Sequence, residues 1–116
     1  MGKITTHVLD TAHGCPAAGV AVELFFCGGE TALLASAVTD ADGRCPAPLV
    51  DGAPLAAGEY QLVFHAGDYF AARGLTLGAP PFLDRVAVRF GVSDAAGHYH
   101  VPLLLAPHGY STYRGS

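Results

Sequence analysis

The sequence predicts an all-β sandwich with one short helix. Three observations carry that prediction. Short runs of β-type residues recur along the chain, broken by Gly, Pro and Asp. Several of these runs alternate apolar with polar residues, as a half-buried strand does. At 116 residues, 51% of them hydrophobic, there is enough chain and apolar mass for one core, so a single domain spanning 1–116 is expected.

Lys3–Asp10 reads as the first strand, and His13–Gly19, with Pro16 and two glycines, as a loop. Val20–Phe26 is the second strand, closed by the turn Cys27-Gly28-Gly29, and Leu33–Thr39 the third. Asp40-Ala41-Asp42-Gly43 is a strong turn with Arg44 just past it. Pro46, Pro48 and Pro54 keep the next stretch irregular, or at most a short edge strand. Glu59–His65 is a strand. Asp68 is expected to cap a short helix over Tyr69–Arg73 that Gly74 stops. After the loop Leu75–Pro81, Arg85–Val92 sets Val86, Val88 and Phe90 against Arg85 and Arg89. Ser93–Gly97 turns the chain. Tyr99–Leu105 and Gly109–Tyr113 are the last strands, joined through Pro107, with Leu103-Leu104-Leu105 read as core on both faces.

Composition narrows the function classes. A formal charge of −4 gives no basic footprint for nucleic acid. No stretch approaches the roughly 18 apolar residues of a membrane span. Cys15, Cys27 and Cys45 are odd in number and lack CxxC spacing, so reduced thiols in a cytoplasmic protein are expected rather than a disulfide framework. MGKITTHVLD has no apolar core of a secretory signal. Six histidines in so short a chain matter because imidazole titrates near neutral pH.

Side chains on a strand alternate in direction, so His98 and His100 share one face and Tyr99 takes the other. His7 shares a face with Leu9, and Tyr113 with Ser111. If the first and last two strands form one sheet, His7, His100 and Tyr113 converge. Three readings of His98-Tyr99-His100 stay open: polar surface residues, a three-nitrogen zinc site completed by another histidine, or metal-free acid/base chemistry by imidazole. Arg44 and Arg114 read either as solvated or as anchors for anionic or carbonyl oxygens. Asp10 reads as a hydrogen-bonding residue, His13, His65 and His108 as structural or exposed, and Cys45 as a passive thiol.

HVLD at 7–10, GCPAAGVAVEL at 14–24, TDADGR at 39–44 and HYHVPLLLAPHGYSTYRGS at 98–116 together resemble the 5-hydroxyisourate hydrolase family, also called transthyretin-like or transthyretin-related. The resemblance runs through the whole chain, and the YRGS ending is its most specific part, since transthyretin itself lacks it. It implies a transthyretin-like sandwich of two four-stranded sheets. It also implies a homotetramer, a dimer of dimers, with active sites in a channel between dimers. The implied reaction hydrolyses a cyclic amide of 5-hydroxyisourate, in urate catabolism to allantoin, with no metal or organic cofactor. The product would be 2-oxo-4-hydroxy-4-carboxy-5-ureidoimidazoline. Matched motif by motif, the catalytic residues fall on His7, Arg44, His100 and Ser116. Substrate binding falls on His7, Arg44 and Tyr113; beside them, Arg114 is expected to anchor either the substrate or the terminal segment, and His98 is a candidate for the channel rim. His108, where a tyrosine is common, and the pair Cys45-Pro46 depart from the pattern. Three other functions remain in view: an apolar-ligand carrier using the same channel, a zinc-dependent amidohydrolase, and a bare adhesive sandwich.

Overall fold

The computed structural model describes residues 2–51 and 55–115. These residues form nine strands and one helix, in the order β1 (Lys3–Asp10), β2 (Cys15–Pro16), β3 (Ala21–Phe26), β4 (Ala32–Val38), β5 (Val50–Asp51), β6 (Gly58–His65), α1 (Ala66–Ala72), β7 (Arg85–Val92), β8 (His98–Ala106) and β9 (Gly109–Thr112). One sheet runs β4-β3-β6-β7. The other runs β2-β1-β8-β9, with β5 paired to β1. The expected sandwich of two four-stranded sheets is therefore present, with the two-residue β5 added. Within the loop expected at 13–19, Cys15 and Pro16 pair with Asp10 and Leu9.

Alternation decides which residues fill the core. Ile4, Thr6 and Val8 on β1 face inward, as do Tyr99, Val101, Leu103 and Leu105 on β8. They meet Val22, Leu24, Tyr60, Leu62, Phe64, Val86 and Val88 of the opposing sheet. Each such side chain removed from water contributes about 1.5–3 kcal/mol. Leu104 is the exception to the core reading of Leu103–Leu105: it is only half-buried, because its parity puts it on the outer face.

The helix begins earlier than expected. His65 occupies the N-cap position without a side-chain cap, and Asp68 lies in the first turn. Burial of Ala66, Gly67, Tyr69 and Phe70 moves the start. The Gly67 amide donates to the Asp84 carbonyl, and a Cβ at Gly67 would collide with the Asp84 carboxylate. Asp68 stays exposed, where its charge still complements the helix N-terminus.

Candidate active site

The site rests on one parallel pairing. β1 and β8 align Lys3 with His98, Thr5 with His100, His7 with Pro102 and Leu9 with Leu104. Because every second residue faces out, all eight side chains share the outer face of the sheet. The alternation seen in the sequence thus places His7, His98 and His100 together. On the neighbouring strand, the register that pairs Leu103 with Thr112 continues to the bridge between His100 and Gly115. It sets Tyr113 opposite Pro102, on the same face and in the same row as His7.

Arg44 arrives by a turn built for close approach. The Asp40 carboxylate accepts hydrogen bonds from the amides of Asp42 (2.9 Å) and Arg44 (3.1 Å). Gly43 has φ +77°, and a Cβ there would collide with the Val8 carbonyl. That turn docks on β1 through the Val8 amide, which donates to the Gly43 carbonyl at 2.8 Å, and Arg44 bridges His7. The His7 Nε2–H donates to the Asp42 carbonyl at 2.9 Å. A neutral His7 consequently keeps its lone pair on Nδ1.

His98 Nε2 and His100 Nδ1 both lie 2.8 Å from the Thr5 hydroxyl. Thr5 was not among the residues singled out from the sequence. Parity with His7 was a signal for it, but its partner across the sheet depends on a register the sequence does not display. Burial holds the His100 pKa below the usual histidine value, and the charges of Arg44, His98 and His7 act in the same direction. Thr5, Arg44, Cys45, Pro46, His98 and His100 border a cavity of about 330 Å³. Cys45 is a passive wall of it, since burial and the nearby Asp40 raise its pKa and keep the thiol protonated.

The chain end crosses this face. The Gly115 amide donates to the His100 carbonyl at 2.8 Å, and a Cβ on Gly115 would lie 2.6 Å from His100 Cδ2. Only glycine lets the segment pass so close to the ring. Arg114, expected to anchor either the substrate or the terminal segment, is turned to the opposite face. Its guanidinium sits 4.2 Å from the Tyr99 ring centroid, and its Nη2 donates to the His98 carbonyl at 3.3 Å. These contacts fasten the terminal segment. Ser116 lies outside the described residues. Among the described residues, no three His, Cys, Asp or Glu side chains gather as a metal-binding group.

The 5-hydroxyisourate hydrolase of Pseudomonas aeruginosa is 55% identical to this chain, the match covering 100% of the chain and 93% of that protein. A crystal structure of an (S)-allantoin synthase superposes with a TM-score of 0.94 at 41% identity; the match covers 99% of this chain but only 44% of the synthase. The structure of Klebsiella pneumoniae 5-hydroxyisourate hydrolase superposes with a TM-score of 0.82 at 40% identity, covering 100% of both chains. A family described as HIUase/Transthyretin matches residues 4–115, and the chain belongs to that family.

Proposed function

We propose that this chain hydrolyses 5-hydroxyisourate to 2-oxo-4-hydroxy-4-carboxy-5-ureidoimidazoline, a step of urate catabolism. The observation that carries the reading is the gathering of His7, Arg44 and His100 on one sheet face. Full-length similarity to proteins named for this activity supports it.

Amide hydrolysis needs an activated water, a stabilised oxyanion and a proton for the leaving nitrogen. His7 is assigned the base: with Nε2–H held by the Asp42 carbonyl, Nδ1 is free to take the proton of water. Arg44 is assigned the substrate's carbonyl or anionic oxygens, where its fork stabilises developing negative charge. His100, its pKa lowered by burial first and by the Arg44 charge next, handles the proton needed by the leaving nitrogen. Tyr113, 58% exposed in the row of His7, packs on the planar ring of the substrate. The working assembly is taken as a homotetramer, a dimer of dimers whose channel is lined by this outer face.

An apolar-ligand carrier fits less well, because covering His7, Arg44 and His100 with an apolar molecule would cost desolvation without hydrogen bonds in return. The zinc reading lacks a donor set among the described residues. The test is to generate 5-hydroxyisourate from urate with a urate oxidase, add the protein after thorough chelation, and follow the loss of ultraviolet absorbance. Acceleration over spontaneous decay is expected, and its absence overturns the enzyme reading.

A further inference from the structure

The Thr5 hydroxyl has one proton and two histidine neighbours. It lies 2.8 Å from both His98 Nε2 and His100 Nδ1. It can donate to only one ring, so the other ring must donate to it. The tautomers of His98 and His100 are therefore coupled through a single oxygen. The two rings differ in setting: His98 is exposed, while His100 is half-buried beneath the chain end at Gly115.

We propose that Thr5 is a positioning residue that conducts a proton from exposed His98 to half-buried His100 and holds His100 with its proton on Nε2. The proposal deepens the hydrolase reading above and rests on it for its catalytic consequence. In the resting arrangement His98 Nε2–H donates to Thr5 Oγ1, and the Thr5 hydroxyl donates to His100 Nδ1. His98 Nδ1 faces solvent, so a proton can enter there as Nε2 gives one up. As the amide C–N bond breaks, His100 Nε2 gives its proton to the leaving nitrogen. Thr5 passes its hydroxyl proton to His100 Nδ1 and receives the Nε2 proton of His98. The water has meanwhile lost its proton to His7, and its hydroxide has joined the carbonyl carbon. His98 ends neutral, and His100 is neutral before and after.

Physics favours this division of labour. A lasting positive charge on His100 is opposed by burial and by Arg44, so that ring is a poor store for an acid proton. Exposed His98 has water around it, and a hydroxyl joins the two rings. Among the described residues, the other titratable or charged groups on this face include Lys3, the register neighbour of His98, Asp51 paired to Lys3, Tyr113 opposite Pro102, Cys45 in the cavity wall, and His7 and Arg44 beside His100. None of them is hydrogen-bonded to the Thr5 hydroxyl among the described residues.

Thr5→Val keeps the shape and removes the hydroxyl. One positioned acid supplies about 10²–10⁴-fold, so losing its proton supply should lower kcat by about 10–100-fold. KM should stay within about threefold, since the lost step acts only in the transition state. Thr5→Ser, which restores the hydroxyl, should recover most of the rate. Nitrogen-15 spectra of the histidine rings give a reading independent of turnover. His100 Nδ1 should appear as a hydrogen-bonded acceptor with Nε2 protonated in the parent protein, and this pattern should be lost in Thr5→Val. Full kcat in Thr5→Val, a serine variant as slow as the valine one, or an unchanged tautomer pattern overturns the proposal. A parent protein inactive on 5-hydroxyisourate overturns the hydrolase reading, while the ring spectra still decide the coupling.

Discussion

Two histidine clusters grow from β1, and they are built on opposite rules. Near its C-terminal end, Asp10 is buried and accepts three hydrogen bonds. They come from the His13 amide at 3.0 Å, His13 Nδ1 at 2.6 Å and the Tyr69 hydroxyl at 2.7 Å. On the outer face, His7 leans on a carbonyl, and His98 and His100 on a hydroxyl. No carboxylate is hydrogen-bonded to any of these three rings among the described residues. A histidine beside a buried carboxylate is held in place as a charge partner, which suits structure. His100, half-buried beside the Arg44 charge, has its pKa lowered, which suits proton transfer. Residue type alone does not separate the two.

Exchanging single histidines should break the molecule in opposite ways. His7→Asn and His100→Asn should each lower kcat on 5-hydroxyisourate by about 10²–10⁴-fold. Their urea midpoints should stay close to that of the parent. His13→Asn should keep the rate and lose about 1.5–3 kcal/mol of stability, the usual worth of a hydrogen bond to a charged group. Absorbance kinetics and urea denaturation on the same three variants read both effects. If His13→Asn is as inactive as His100→Asn, the two clusters do not differ in kind.

Much of this contrast was legible before any coordinates. Period-2 alternation is local, so β1 and β7 emerge with the bounds read from the sequence. The same alternation puts His98 and His100 on one face. Facts about one strand do not say which strand lies beside it, and here that decides the site. The parallel β1–β8 register brings Thr5 between two rings, and nothing near Thr5 in sequence announces it. Arg114 was open for a related reason: residue type allowed an anchor for substrate or for the terminal segment, and parity one step past Tyr113 sends its side chain to Tyr99. Asp68 looked like a cap because acids often are, until burial of Ala66 and Gly67 pulled the helix start back. Tyr69, the donor that completes the Asp10 cluster, lies 59 residues away in the chain.

That long-range donor offers a finer cut at the structural cluster. Its pKa is pushed up to about 12 by burial first and by Asp10 second, so it stays a protonated donor at any physiological pH. Tyr69→Phe removes one hydroxyl and leaves the ring in the core against Phe70. We expect a loss of about 1–2 kcal/mol, because the Asp10 carboxylate keeps both hydrogen bonds from His13. Chemical denaturation measures it, and kcat should not move. A drop in rate would mean that the Asp10 end of β1 communicates with the outer face.

The smallest expected effect separates the clusters by pH. Burial raises the Asp10 pKa, but the hydrogen bonds from Tyr69 and His13 outweigh it, and the folded value lies below 3.8. The unfolded chain therefore binds the proton more readily. Asp10's contribution to stability is complete above pH 3.8 and is lost as pH falls from there through the folded value. His100 has the same sign in a different window. Its folded pKa lies below 6.5, so the folded state is penalised as pH falls from 6.5 to that value, and not further. Activity should follow the second window rather than the first, because a charged His100 has no lone pair left on Nδ1 to accept the Thr5 hydroxyl. A rate that falls on the acid side of pH 6.5, with a shallow loss of stability there and a steeper one below pH 3.8, is the expected pattern. A rate that holds down to the carboxylate range would move the proton chemistry away from these histidines.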